Sequence, residues 1–215
     1  MAKKNKVTLI GEINEIINEK DFTIKIRKNS KKFVYPIIEL ENENMQKFKK
    51  GSLVVVEGKI TTELKEEKYT CSCGEKIIDK YILTKITAQN IQVIPPKKEV
   101  FLNNVILLGV VCREKSFVYI EGTKSPLGNT RYQIAVNRRE PNLTDYPWIA
   151  SYARQAEEDA KRIQKGSQVL VDGIINTRRN IKECVCPNCG TKIEVTEYLT
   201  EVVAASVEYL NNCIF

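Results

Sequence analysis

Two short cysteine motifs are the residues of this sequence with the clearest capacity for chemistry. The first reads CSCG from Cys71 and the second reads CVCPNCG from Cys184, in a chain of 215 residues with 7 cysteines and no histidine. Thiols at this spacing bind metal ions, form redox-active pairs or form disulfides. An odd number of cysteines argues against complete disulfide pairing, and a reducing compartment favours metal binding.

A closed tetrahedral zinc site takes four ligands, and neither motif supplies four by itself. Two ligands from each motif complete the set, and we predict a structural zinc ion shared between them. The predicted ligands are Cys71, Cys73, Cys186 and Cys189. A competing arrangement uses Cys184 with the CPNC pair and one further donor, while a disulfide and free thiols stay open. Cys112 and Cys213 have no partner at ligand spacing and are predicted to be buried apolar residues.

The two motifs occupy corresponding places in an internal repeat. GSLVVVEGKITT from Gly51 matches GSQVLVDGIINT from Gly166, a displacement of 115 residues. The same displacement, with one inserted residue, places CSCG on CPNCG. VTLIGEI near the start likewise resembles VILLGVV from Val105. The sequence therefore predicts two copies of one module, residues 1–94 and 103–215, joined by a linker over 95–102 that contains PPKKE.

Alternating apolar residues in both copies predict mainly β-strands. One segment in each copy reads as a helix: Ala153–Gln164, which Gly166 can end, and the shorter Asn42–Lys50. Three strands, a helix and two further strands is the element order of an oligonucleotide-binding (OB) fold. We therefore predict a mainly-β protein with two tandem five-stranded OB barrels, each with one helix between strands three and four.

Charge and hydropathy indicate the kind of partner. The formal net charge is +7 and the sequence pI is about 8.9, which favours a polyanion such as nucleic acid. No apolar stretch approaches the roughly 20 residues that cross a bilayer, so we predict a cytoplasmic protein without a membrane partner. A zinc hydrolase needs an open coordination site and a general base, whereas these cysteines suit a closed site, so no enzymatic activity is expected.

Three blocks of the second copy resemble the bacterial single-stranded DNA-binding protein family. They read YQIAVNRR from Tyr132, WIASYARQAEEDAKRIQKGSQVLVDGIINTR from Trp148, and TEVVAASVEYL from Thr200. The resemblance covers Asn103–Asn211 and reaches the first copy only through the repeat. It implies a binding protein that coats single-stranded DNA during replication, recombination or DNA transfer, and the tandem form favours a phage or mobile element. RNA binding and a structural adaptor role in a nucleoprotein assembly are the alternatives.

Binding of a single strand needs flat side chains for the bases and cations for the phosphates. By the resemblance, Trp148 and Tyr152 match stacking positions, and Tyr132 is a candidate either for stacking or for the core. The repeat makes Phe33 the counterpart of Trp148, and Phe22 that of Tyr132. The candidate cations are Arg131, Arg138, Arg139, Arg154, Arg178 and Arg179 in the second copy and Arg27, Lys28 and Lys32 in the first.

The resemblance also bears on assembly. The family assembles four barrels, and a homodimer of a two-barrel chain reaches that number, although a monomer is equally permitted. The sequence ends in NNCIF without the family's acidic tip, so recruitment of partners through an acidic tail is not expected.

Overall fold

The computed structural model describes residues 4–28, 32–41, 47–95, 100–121, 127–138 and 143–214. Within these ranges the chain forms thirteen strands and one helix. The first half contains β1 (Asn5–Ile16), β2 (Asp21–Arg27), β3 (Phe33–Val34), β4 (Ile37–Leu40), β5 (Leu53–Thr70) and β6 (Lys76–Val93). The second half contains β7 (Leu102–Val111), β8 (Ser116–Ile120), β9 (Leu127–Asn137), β10 (Thr144–Asp145), β11 (Trp148–Tyr152), α1 (Ala153–Arg162), β12 (Gln168–Val185) and β13 (Lys192–Asn211).

Strand pairing closes a ring in each half of the chain. In the first half β1, β5, β6, β4 and β2 pair in that order, and β2 pairs back with β1. In the second half β7, β12, β13, β11 and β9 do the same, and β9 pairs back with β7. The β4–β6 and β11–β13 pairs are parallel and the other pairs of both rings are antiparallel. The alternation of apolar side chains along these strands fills the two ring interiors.

The two rings join through an antiparallel pairing of β1 with β7. Val7 lies opposite Val105, and both side chains are fully buried. The flanking pairs are Asn5 with Leu107 and Leu9 with Asn103. Each flanking pair joins an asparagine of one strand to a leucine of the other, with the Val7–Val105 pair at the centre. The two halves are therefore related by a local twofold axis at this pairing. One buried apolar cluster contains residues of both rings.

Two long hairpins, β5–β6 and β12–β13, extend beyond the rings and carry the cysteine motifs at their tips. Each hairpin has a bulge at a glycine, Gly58 in the first and Gly173 in the second. A Cβ at either glycine would lie 2.3 Å from a backbone oxygen of the paired strand, Thr87 or Val203. Only glycine therefore permits this close approach.

The predicted helix at 153–164 is present as α1, although it ends at Arg162, and the preceding residues form β11. The corresponding helix of the first half was predicted at 42–50, and residues 42–46 of it lie outside the described residues. Of the predicted linker over 95–102, residues 96–99 also lie outside them, and Leu102 already belongs to β7.

The structural register of the repeat differs from the sequence alignment around β4 and β11. Ile38 pairs with Phe22 in the first ring, as Ile149 pairs with Tyr132 in the second. The Tyr-Pro dipeptides at 35–36 and 146–147 consequently correspond, and each proline carbonyl accepts a backbone hydrogen bond from the adjacent strand. The displacement here is 111 residues rather than 115, because the connections between strands differ in length.

Candidate nucleic-acid interface and metal centre

Trp148 stands at the start of β11 and faces a groove of about 490 Å³. The guanidinium of Arg131 lies 5.7 Å from the centre of its ring and that of Arg113 lies 6.0 Å away. Tyr81 and Ile82 of the first-half hairpin also line this groove. An indole with two arginines beside it combines a stacking surface with positive charge, as binding of a single strand requires.

A buried carboxylate holds two arginines of this groove, Arg131 and Arg178, in place. The side chain of Glu201 is 2% exposed and accepts a hydrogen bond of 2.8 Å from Arg131. Arg178 lies 3.6 Å from the same carboxylate oxygen, and the Asn176 amide donates to the other oxygen at 3.0 Å. The Arg131 and Arg178 side chains stay 31% and 35% exposed, so a phosphate can still approach them.

Of the other aromatic residues predicted to stack, only Tyr152 in this half lies at the surface. It ends β11 and is 36% exposed, and partial burial raises the pKa of its phenol, which keeps it neutral. Tyr132 and Phe22 are each fully buried in the ring interiors. Tyr132 is thus a core residue, which is the second of the two roles considered for it, and its counterpart Phe22 is one as well. Inward-facing positions of a closed ring of strands cannot contact a ligand on its outer surface, so we do not propose either residue as a stacking surface.

Phe33 is not the counterpart of Trp148. In the structural register Ile37 takes that place, and Phe33 corresponds to Thr144. Phe33 is nevertheless half-buried at the wall of a second groove, of about 800 Å³, with the Lys25 ammonium 4.4 Å above its ring.

The predicted cations of the second half have different surroundings. Arg138 donates two hydrogen bonds, of 2.9 and 2.7 Å, to the buried carboxylate of Asp145. Arg154 is exposed on α1, and Arg179 is exposed on β12, where it donates to the Thr196 hydroxyl at 3.2 Å. Arg139 lies outside the described residues.

Two of the three predicted cations of the first half, Arg27 and Lys28, lie beside the second half. Arg27 stacks over the Phe101 ring at 5.5 Å. Lys28 donates to Asn176 at 2.7 Å, and burial lowers the pKa of its ammonium. Lys32 is exposed.

The four predicted metal ligands come together at the hairpin tips. The sulfur atoms of Cys71, Cys73, Cys186 and Cys189 all lie within 4.8 Å of one another. The contacts that join the two hairpins are Cys71–Cys189 at 3.5 Å and Cys73–Cys186 at 3.7 Å. Residues separated by more than 110 positions in the chain thus form one group of four thiols.

Each hairpin tip is shaped by a glycine turn. The Gly74 amide donates to the Cys71 carbonyl at 2.9 Å, and the Gly190 amide donates to the Cys186 carbonyl at 3.0 Å. Both glycines have a positive φ, of 86° and 72°, which favours glycine over residues with a side chain. The first cysteine of each pair is buried and the second is exposed, so the group is reached from one side.

The thiols differ in acidity. Hydrogen bonds from the side chain and backbone of Thr191 lower the pKa of Cys189 to about 6. A backbone hydrogen bond from Glu75 lowers the pKa of Cys73. The neighbouring thiols of Cys189, Cys186 and Cys71 raise this pKa by a larger amount, so that its net value is about 11. Four adjacent thiolates repel one another, and a bound cation is what allows all four to ionise.

Cys184 does not belong to this group. It pairs with Ile193 along the hairpin and packs, partly buried, against a small apolar cluster beside Cys71 and Cys186. All seven cysteines lie within the described residues and are free thiols. Cys112 and Cys213 are half-buried rather than buried, and Cys213 packs against the main core.

Sequence reasoning missed the contacts that the two hairpins make away from their cysteines. The Lys182 ammonium lies 2.7 Å from the Asp79 carboxylate and 5.5 Å from the centre of the Tyr81 ring. It also missed Tyr198, which is 69% exposed at the second groove. The predicted shared zinc ion requires the two cysteine motifs to meet, but no pattern in the sequence indicates which other residues of the two hairpins contact each other. Within the described ranges, none of the helical structure is long and apolar enough to span a membrane.

The fold is mainly β with one described helix, and it is consistent with an oligonucleotide-binding fold. The crystal structure of the wild-type single-stranded DNA binding protein from Thermus aquaticus superposes with a TM-score of 0.66 at 18% identity, over 99% of this chain and 95% of that one. The model of the single-strand binding protein family matches residues 102–210, which is half of the chain. The chain belongs to this family.

Individual relatives agree with that membership. A single-stranded DNA-binding protein of Oceanobacillus iheyensis is 35% identical over 114 residues, or 51% of this chain and 63% of the relative. The single-stranded DNA-binding protein 1 of Staphylococcus aureus is 32% identical over 114 residues, or 51% of this chain and 65% of the relative. The matched stretch thus spans less than two thirds of the length of either relative.

Proposed function

We propose that this protein binds single-stranded DNA without catalysing a reaction, and coats it during replication, recombination or DNA transfer. The observation that supports this most directly is the Trp148 groove, where an indole and the arginines at 113, 131 and 178 line one surface. Stacking on the indole suits any base, and the guanidinium groups follow the phosphates, so the groove fits a strand of varied sequence. Family membership points to the same ligand.

Titration of the full chain with oligo-dT, oligo-U and duplex DNA at matched salt tests this function. We expect oligo-dT to quench the fluorescence of Trp148, the single tryptophan of the chain. Trp148→Ala should weaken binding of a labelled oligo-dT by roughly 1–3 kcal/mol, whereas Trp148→Phe should retain most of it. Preference for oligo-U would redirect the proposal to RNA, and equal affinity for duplex DNA would contradict a stacking groove.

We further propose that the four clustered cysteines hold one structural zinc ion. A tetrahedral site with zinc–sulfur bonds of about 2.3 Å has sulfur atoms about 3.8 Å apart. The contacts of 3.5 and 3.7 Å between the hairpins fit that spacing closely. Four thiolates close the shell, so the ion would join the two hairpins and leave no open position for catalysis.

Metal analysis of the purified protein tests the zinc site. We expect one zinc per chain, with both Cys71→Ser and Cys189→Ser lowering its retention, because each hairpin supplies half of the ligands. Cys184→Ser is the matched control and should keep the ion. A chelator should lower the thermal midpoint, since metal-binding energy is also folding energy. Two zinc ions per chain, or a metal-free protein with disulfides at these cysteines, would contradict the shared site.

We also propose that residues 1–94 and 103–215 are two OB modules, each built on one closed five-stranded barrel, in a cytoplasmic protein. A homodimer would then present four such modules. Sedimentation at several protein concentrations, with and without oligo-dT, distinguishes a monomer from a dimer.

A further inference from the structure

The second groove lies where the first ring meets the β12–β13 hairpin, and it is built from both halves of the chain. The residues that matter here are Phe33, Tyr35 and Ile37 of the first half and Arg178, Arg179 and Tyr198 of the second. The backbone amide of Tyr35 donates to the Thr177 hydroxyl at 2.9 Å, which fixes the hairpin against the first ring. The twofold-related contact, from the Tyr146 amide to the Thr62 hydroxyl, is also 2.9 Å long. The second groove is therefore the counterpart of the Trp148 groove.

The aromatic residue changes place between these two grooves. Ile37 stands in the second groove where Trp148 stands in the first. On the hairpins the aliphatic and aromatic residues are exchanged. Ile82 lines the Trp148 groove and pairs with Leu64, whereas its counterpart Tyr198 lines the second groove and pairs with Arg179. Of these two equivalent positions, the Trp148 groove has its aromatic ring at the strand position, and the second groove has it at the hairpin position. Tyr198 belongs to the second half of the chain and extends into the second groove beside the first ring.

We propose that this second groove is a further contact site for single-stranded nucleic acid, with Tyr198 as its stacking surface and Arg179 as a phosphate ligand. This inference rests on the proposed function and assigns a second site to it. Tyr198 is 69% exposed, so its ring is accessible to a base. Arg179 lies opposite it on the paired strand and is exposed as well.

Tyr198 is not an isolated exposed tyrosine, because other aromatic rings and cations line the same groove. Tyr35, at 42% exposure, and the half-buried Phe33 line the same groove, so three aromatic rings and two arginines share one surface. Bases need the rings and phosphates need the cations, and the groove supplies both. Glu15 lines it where Arg113 lines the Trp148 groove, so the second groove should contribute less affinity than the first.

Oligonucleotide length distinguishes the two grooves, since one OB module covers about 4–16 nucleotides. We would measure binding of oligo-dT of about eight and about thirty nucleotides to the full-length wild type, Tyr198→Ala, Tyr198→Phe and Trp148→Ala. Tyr198→Ala should lower affinity for the long oligonucleotide at least about fivefold, and should leave Trp148 quenching by the short one unchanged. Tyr198→Phe should retain wild-type affinity because the ring remains. Tyr119→Ala is a matched control, since Tyr119 is 57% exposed on β8 and lines neither groove.

Each alternative result has a distinct meaning. Wild-type affinity of Tyr198→Ala for the long oligonucleotide, with Trp148→Ala weakened, would overturn this inference and leave the proposed function intact. Equal losses for Tyr198→Ala and Tyr119→Ala would also overturn it, because they would show a general surface effect. Loss of affinity in Tyr198→Phe would exclude stacking as the cause. Absence of saturable binding by the wild type would overturn the proposed function together with the inference.

Discussion

Arginine side chains pair with buried carboxylates in two arrangements, and the further contacts of each carboxylate distinguish them. Arg131 and Arg178 share Glu201 at the edge of the Trp148 groove, and both remain about one-third exposed. Arg138 instead makes a two-bond contact with Asp145, whose side chain is fully buried and which also accepts the Thr62 amide at 2.7 Å. The first arrangement presents charge to a ligand, and the second binds the β9–β10 segment to the first-half hairpin.

Removal of Arg138 should therefore affect stability more than DNA binding. Arg138→Ala would leave the buried Asp145 carboxylate without its cation, and loss of one partner of a buried ion pair costs about 3–5 kcal/mol. Because Arg138 remains 24% exposed, we expect the lower end of that range in urea unfolding. Arg154→Ala, on the exposed face of α1, is the control and should change the unfolding free energy by less than about 0.5 kcal/mol. Unchanged stability of Arg138→Ala, with a flatter salt dependence of DNA binding, would place this arginine on the DNA path instead.

At the scale of elements, the two long hairpins position both candidate sites. They carry the cysteines at their tips, supply a wall to each groove, and contact each other through Lys182 and Asp79. Their direction depends on the bulges at Gly58 and Gly173, where the ring segment of each hairpin passes into the protruding segment. A bulge increases the local twist of a strand pair, so these two positions govern where the tips meet.

A side chain at either bulge should disturb the hairpin. In Gly173→Ala the new Cβ would lie 2.3 Å from the Val203 oxygen, so the backbone must shift, and we expect a loss of roughly 1–3 kcal/mol. Gly58→Ala should behave alike, because the corresponding distance to Thr87 is also 2.3 Å. Thermal unfolding and zinc retention measure the two effects.

Gly128→Ala is a milder comparison for these variants. There the nearest atom to the added Cβ is a side-chain carbon of Phe117 at 3.2 Å, rather than a backbone oxygen. Wild-type stability of both bulge variants would show that the bulges tolerate a side chain.

The sequence predicted the parts of these elements that depend on local pattern. Alternation predicted the strands, and the repeat placed the CSCG and CPNCG motifs at equivalent hairpin tips. The burial of Tyr132 and the register of Phe33 were not predictable in the same way. An alternating strand does not reveal which face points into a closed ring, and a gapless alignment does not reveal connections of different length. The contacts of Lys182 with Asp79 and Tyr81 join the two halves, and neither half encodes them alone.

At the scale of the whole molecule, the β1–β7 pairing makes the two halves one structural unit. Asn5 exchanges two hydrogen bonds of 2.8 Å with the backbone of Ile60, and Asn103 makes the equivalent pair with Ile175 at 2.9 and 2.8 Å. These asparagines brace each hairpin base against the strand of its own half that forms the shared sheet. Buried apolar residues continue from one ring into the other across Val7 and Val105.

A continuous core predicts that both halves unfold in one cooperative transition. Calorimetry should then give a van't Hoff enthalpy equal to the calorimetric enthalpy, even after a chelator has removed any metal at the hairpin tips. Val7→Asp should lower the whole transition, because it places a carboxylate opposite Val105 in the buried centre of the shared sheet. Glu12→Asp, at an exposed position on the same strand, is the matched control and should leave the transition in place. Two separate transitions in the wild type, with only one of them moved by Val7→Asp, would show that the halves fold independently.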